Sequence, residues 1–235
     1  MAEAGMAELR VMTYNVRSLR DDVEALAAVV RSCRPDVLLV QEAPRFLRWR
    51  SKRAALARDC GLVVATADRP GGLCVLTALR VDVIKTSFSL LPKTSRRHQR
   101  AIAGATLRCG GAQWEVLSVH MSTDPAERRR HLPAVDAALS AMAVAPLVMG
   151  GDINEDPGGV LFSDLSTWLQ DCFVVAGVGA GLTSPAASPG RRLDAIFASS
   201  ALRVVSCEVV DAPGVAAASD HRPVVAVLSQ PLKPA

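Results

Sequence analysis

The apolar positions of the chain alternate between two periods. Leu9–Arg17 alternates polar and apolar residues before Asn-Val-Arg, which predicts a strand running into a loop. Val23, Leu26, Ala27 and Val30 form a helical stripe that Asp21 or Asp22 can cap and Pro35 must stop. Val37–Val40 is wholly apolar and ends in Gln41-Glu42, the pattern of a buried strand with an acid at its carboxyl end. Arg45–Asp59 is predicted as a second helix, with Phe46 and Trp49 as its core anchors. Short β-like runs follow at Leu62–Thr66, Leu73–Thr77, Val81–Phe88, Ala101–Arg108 and Gln113–His120, with Gly110-Gly111 as a hairpin turn. Asp124-Pro125 opens a third helix with Leu132, Val135, Leu139 and Met142 on its buried face and Pro133 awkwardly inside it. Strands are then expected at Leu147–Met149, Leu193–Ala198, Arg203–Val209 and Val224–Leu228. Helix–strand alternation early and hairpins in the middle predict an α/β fold with two mixed sheets.

Length and composition narrow the class. With 235 residues, 50% hydrophobic and 21% charged, the chain reads as one domain spanning 1–235, with flexible ends at about 1–7 and 230–235. Nine aromatics argue against a protein built on base-stacking platforms. The N-terminus lacks an apolar signal segment, which predicts a cytoplasmic protein. The longest uncharged stretch, Cys172–Gly190, holds four Gly and two Pro and reads as a loop, as does the Gly177–Gly181 run inside it. No membrane span is expected, and a monomer is the default. The six cysteines have neither C-x-x-C nor zinc-ligand spacing and read as buried thiols.

The candidate chemistry lies where apolar runs end: Asn15, Glu42, His120, Asp152 with Asn154, Asp194, and Asp220-His221. Strand ends are where open α/β folds build their sites, and Asp152 and Asn154 share a side of an extended segment. Singly, each has a dull reading as a turn, cap or structural residue; together they do not.

The pieces T-Y-N (13–15), L-L-V-Q-E (38–42), L-S-V-H-M (117–121), G-G-D-I-N (150–154), R-L-D-A-I-F (192–197) and S-D-H-R-P-V (219–224) resemble, in order and spacing, the endonuclease/exonuclease/phosphatase superfamily. The resemblance implies a four-layered α/β/β/α sandwich, deoxyribonuclease I-like, with the site at one rim. It implies metal-dependent hydrolysis of a phosphodiester by water, with Mg²⁺ or Mn²⁺ on hard oxygen ligands: Glu42, Asn15 and Asp220. His221 would take a proton or hold the phosphate, oriented by Asp194. Asp152 would align or deprotonate the water, and Asn154 and His120 would donate to phosphoryl oxygens. Which of Asp152 and His221 is the base, and whether one metal or two act, stays open. Two departures stand out. Ser118-Val119 replaces an Asn-Thr pair before His120, and Thr183, a phosphate-contact candidate, lacks the usual aromatic neighbour.

Charge bears on the substrate. The net charge is +4, and setting aside Glu42, Asp152, Asp194 and Asp220 leaves +8. Three basic clusters stand out: Arg45–Arg58, Lys93–Arg100 and Arg128–Arg130. Each can be a solvated face or a polyanion contact, and Arg100 is the best single phosphate candidate. A nuclease is therefore favoured. The alternatives are a phospholipid or inositol-phosphate phosphoesterase of the same fold, weakened by the lack of an evident exposed apolar segment, and a non-catalytic nucleic-acid or protein binder.

Overall fold

Residues 5–66, 68–142 and 146–232 are described by the computed structural model of the chain. The strands are β1 (Met6–Asn15), β2 (Val37–Gln41), β3 (Val63–Val64), β4 (Cys74–Thr77), β5 (Asp82–Leu90), β6 (Ala101–Cys109), β7 (Ala112–His120), β8 (Leu147–Asp152), β9 (Gln170–Asp171), β10 (Gly177–Val178), β11 (Asp194–Ala198), β12 (Arg203–Val209) and β13 (Val224–Pro231). The helices are α1 (Val23–Cys33), α2 (Trp49–Asp59), α3 (Pro125–Ala141), α4 (Val160–Trp168), α5 (Cys172–Ala176) and α6 (Val215–Ala218). They build two mixed sheets, ordered β10-β12-β13-β1-β2-β4-β3 and β5-β6-β7-β8-β11-β9.

The period-2 strands explain the layering. Leu9, Val11, Val37, Leu39 and Val75 of the first sheet meet Leu107, Val116, Val148 and Ile196 of the second in one apolar core. The alternate residues Met12, Tyr14, Leu38 and Val40 face outward under Leu26 and Val30 of α1 and Leu56 of α2. The outer face of the second sheet is covered by Val135 and Leu139 of α3 and Leu161, Phe162 and Leu165 of α4. The result is the expected four layers, helix, sheet, sheet, helix.

Local chemistry sets the ends of the elements. Asp22 caps α1, its Oδ1 accepting from the amides of Glu24 and Ala25 at 2.9 Å each. Arg34 then turns left-handed and Pro35 ends the helix. Gly110 and Gly111 both take positive φ, +60° and +81°, as the tight β6–β7 hairpin requires. The helix α3 continues through Pro133.

Several expectations change. The helix predicted from Arg45 begins at Trp49, because Pro44 and a left-handed Arg48 (φ 58°) keep 45–48 irregular. Phe46 is consequently not a core anchor: it is 74% exposed. The stretch 172–190 contains α5 and β10, and Gly177-Val178 pairs with Cys207-Glu208. Of the ends expected to be flexible, Met6 and Ala7 pair with Pro231 and Gln230 in the first sheet, and 1–4 and 233–235 lie outside the described residues.

Close packing explains the Gly150-Gly151 pair before Asp152. A Cβ on Gly150 would lie 2.9 Å from Leu39 of the facing sheet, and one on Gly151 would lie 2.0 Å from the Val119 carbonyl. Gly151→Ala is therefore expected to cost about 1–3 kcal/mol of stability by overpacking, measured by urea unfolding. An unchanged midpoint would mean that β7 and β8 can separate without cost.

Candidate active site

Strand register assembles the centre of the site. His120 closes β7, Asp152 closes β8 and Asp194 opens β11, and the three are direct partners across adjacent strands. Their side chains therefore emerge abreast on one face. Asn15, at the end of β1 in the other sheet, reaches across and donates from Nδ2 to Asp152 Oδ2 at 3.0 Å. The loop before β13 delivers His221, whose Nδ1 lies 2.8 Å from Asp194 Oδ2 and whose Nε2 lies 3.9 Å from Asp152 Oδ2. His120 Nε2 approaches the same Asp152 oxygen at 3.3 Å.

These groups are almost wholly removed from water: Asp152 is 2% and Asp194 1% exposed. Burial pushes the Asp152 pKa up. The charge and hydrogen bond of His120, the charge of His221 and the Asn15 amide outweigh it, and the carboxylate is held below its ordinary range. Asp194 has fewer partners, and burial raises its pKa in spite of His221. For His221 desolvation works against the charged form, but Asp194 and then Asp152 overcome it and raise its pKa to about 9. The 2.8 Å contact with Asp194 thus favours the charged form of the imidazole.

The remaining expected residues fall into distinct places. Asn154 is left-handed (φ 55°), donates from Nδ2 to the Met121 carbonyl at 3.1 Å, and gives its own amide to Asp152 Oδ1 at 3.0 Å. Glu42, just past β2, is also left-handed (φ 52°), and its carboxylate has no hydrogen bond or ion pair among the described residues. Asn15 Oδ1 accepts from the Arg17 amide at 3.0 Å. Asp220 is half-exposed and pairs with Arg17 Nε at 3.2 Å. Arg100 lies against His120, Nη1 2.8 Å from its ring nitrogens. Burial lowers the Arg100 pKa, opposed by the charges of Asp152 and then Glu42. Thr183 departs from its expected place at a substrate phosphate: it is fully buried. Its Oγ1 accepts from the amides of Leu193 (3.0 Å) and Asp194 (3.2 Å), so it fixes the backbone that carries Asp194.

A metal could use two donor sets. One is Asp152, Asp194 and His221, whose candidate ligand atoms lie within 4.8 Å of one another. Their atoms are already largely spent on each other, Asp194 Oδ1 alone being buried without a partner. The other centres on the Glu42 carboxylate, an oxygen donor with no partner among the described residues that suits a hard cation; Asn15 ends the neighbouring strand β1, its Oδ1 taken by the Arg17 amide.

Sequence reasoning missed the groups behind these. Gln41 Nε2 donates to Ser118 Oγ at 3.1 Å and Gln41 Oε1 accepts from Thr13 Oγ1 at 3.2 Å, joining the two sheets just under the site. Ser118, where the resemblance leads to Asn, fills this role. Ser219 Oγ donates to the Asn15 carbonyl at 2.6 Å and receives the His221 amide at 3.4 Å. The only signal was a polar residue interrupting an apolar run. The loop that ends in Arg100 is clamped to α3: Glu127 accepts from the Thr94 amide at 2.7 Å and from Ser122, and Arg97 pairs with Asp124 at 2.8 Å.

The family model described as Endonuclease/Exonuclease/phosphatase family matches residues 12–221. No curated protein matches the chain. Among solved structures, an endonuclease/exonuclease/phosphatase from Bacteroides vulgatus is 17% identical, with a TM-score of 0.77 over 94% of this chain and 98% of its own. A mannosyl-6-phosphatase from Bacteroides thetaiotaomicron is 17% identical, with a TM-score of 0.74 over 94% and 99%. Truncated TDP2 from Caenorhabditis elegans is 18% identical, with a TM-score of 0.71 over 94% and 97%. These likenesses carry the fold.

The Glu127 clamp has a pH signature. Burial opposes ionisation, but the Ser122 hydroxyl, the Thr94 amide and His131 bring its pKa down to about 2. A depressed carboxylate stabilises above its unfolded pKa, about 4.3, and loses that contribution as pH falls through about 2. Glu127→Gln is thus expected to lower the melting temperature at pH 7, with the gap to wild type closing between those two values. A gap that persists unchanged at the acid end would contradict the clamp.

Proposed function

The chain belongs to the endonuclease/exonuclease/phosphatase family, and on that footing we propose that it is a metal-dependent phosphodiester hydrolase whose preferred substrate is a nucleic acid. The observation that carries the reading is the convergence of His120, Asp152 and Asp194 from adjoining strands with His221, together with a Glu42 carboxylate that has no partner among the described residues. A non-catalytic binder has no use for two desolvated carboxylates compensated by imidazoles, and this favours the enzyme.

Mg²⁺ or Mn²⁺ would be held by Glu42 with Asn15, with Asp220 an additional candidate; when bound, the ion supplies charge neutralisation for the phosphate and leaving oxygen. Asp152, kept ionised, orients the attacking water and accepts its hydrogen bond. Its depressed pKa makes it a better aligner than a strong base. His221, positively charged at neutral pH, presents Nε2–H to a phosphoryl oxygen, while Asp194 holds Nδ1 and so fixes the ring. Arg100 and His120 place a second positive group behind Asp152, and Asn154 borders the same cleft. Thr183 acts through Asp194, holding its backbone amide at 3.2 Å.

The substrate choice rests on charge. The surplus of +8 outside the four site carboxylates suits a polyanion. The exposed Phe46 and Leu47 remove the absence of surface apolar groups as an argument against lipid, so a phospholipid or inositol phosphate is the second reading. No helix among the described residues is long and apolar enough to cross a membrane.

Glu42→Gln is expected to weaken Mg²⁺ binding by at least about tenfold in calorimetry and to reduce bis-p-nitrophenyl phosphate turnover by orders of magnitude, with the melting temperature little changed. Full turnover by wild type or variant in EDTA would overturn the metal-dependent reading.

A further inference from the structure

Two large apolar side chains stand in solvent where the chain leaves the site. Phe46 is 74% and Leu47 82% exposed, four and five residues beyond Glu42. Single exposed apolar residues need no explanation, but an adjacent pair at a loop tip does.

The tip is held out by a rigid base. The fully buried Arg53 donates from Nε to the Pro44 carbonyl at 2.9 Å, and from Nη1 to the carbonyls of Asp68 (2.6 Å) and Leu73 (2.9 Å). Among the described residues no carboxylate forms an ion pair with it, so a costly buried cation is retained to fasten the loop. The Ala43 amide adds a bond to the Gly72 carbonyl at 2.7 Å, and Trp49 is stacked by Arg50 and Arg53 at 4.3 and 4.9 Å. A loop so fastened loses little conformational freedom when a partner arrives.

Cations precede and follow the tip along the chain. Arg45 lies over the Phe46 ring at 5.3 Å, and its Nη2 is 3.3 Å from His98 Nδ1. That contact joins the tip to the Lys93–Arg100 loop, whose last residue rests on His120. Arg48 and Arg50 follow the tip directly in the chain and are exposed, and no acid occurs between Arg45 and Arg58.

We propose that Phe46 and Leu47 form a wedge that enters the base stack of a nucleic acid beside the phosphate to be cleaved, with Arg45 and Arg48 gripping the flanking phosphates. The inference rests on the nucleic-acid reading above. Guanidinium forks match phosphate oxygens, and an aromatic or aliphatic tip can stack on or part the bases. A bilayer would ask for a broader apolar face than two side chains.

The test is binding of a short fluorescein-labelled DNA oligonucleotide in EDTA, where no metal-dependent cleavage occurs, titrated across salt. Phe46→Ser/Leu47→Ser is expected to weaken binding by about tenfold or more, the size of one lost base stack, with the slope of log Kd against log salt unchanged. Arg48→Gln is expected to weaken binding and reduce that slope by about one. Equal binding by wild type and the double variant would overturn the wedge. So would a double variant that loses only its adhesion to phosphatidylserine vesicles, which would make the tip a membrane contact. Wild-type turnover of bis-p-nitrophenyl phosphate with Mg²⁺ keeps the two readings apart. Protein that binds DNA through the tip without hydrolysing the diester keeps the wedge and loses the hydrolase. Protein that hydrolyses it but binds DNA equally well without the tip loses the wedge alone.

Discussion

Two carboxylates that scarcely touch water, Asp152 and Asp194, set the terms for the rest of the structure. An uncompensated charge in such a place would cost several kcal/mol or be neutralised by protonation. Asp152 stays charged because donors from both sheets converge on it: Asn15 from the first, His120 and the Asn154 amide from the second, and His221 from the loop before β13. Asp194 is supported chiefly by His221. The same contacts that make burial tolerable therefore fix these groups in position.

That arrangement depends on how the two sheets are held against each other. The glycines at 150 and 151 let β8 approach both the facing sheet and β7. The Thr13–Gln41–Ser118 bonds lock the sheets in register below the site, and Ser219 ties His221 to the end of β1. Because a hydrogen-bond network in an apolar core tolerates little displacement, the site is as rigid as the sandwich. At the rim, the Lys93–Arg100 loop is clamped to α3 and the Phe46 tip is fastened by Arg53.

Much of this was legible in the sequence, for a local reason. Strands and helices declare themselves by period, Asp22 by its place before an apolar stripe, Gly110-Gly111 by the turn they demand, and the polar groups by standing where apolar runs stop. What was not legible depends on distant contacts. Phe46 and Trp49 have helical spacing, but Arg48 takes a left-handed conformation and the helix starts one residue later, which turns Phe46 outward. Thr183 has the right residue type for a phosphate contact and is packed behind Asp194 instead. The pairing of Gln41 with Ser118 joins residues 77 apart that share no local signal. The two-residue strands β9 and β10 are too short to carry a period.

The central claim is that Asp194 and Asp152 keep the His221 imidazole charged inside the sandwich. Nitrogen NMR of the histidine rings across pH, in metal-free protein, tests it most directly. In wild type the His221 ring is expected to titrate near pH 9, and in Asp194→Asn well below that, since its main support is gone. A His221 that titrates at the ordinary histidine value of about 6.5 in wild type, or one that titrates identically in both proteins, would contradict the account.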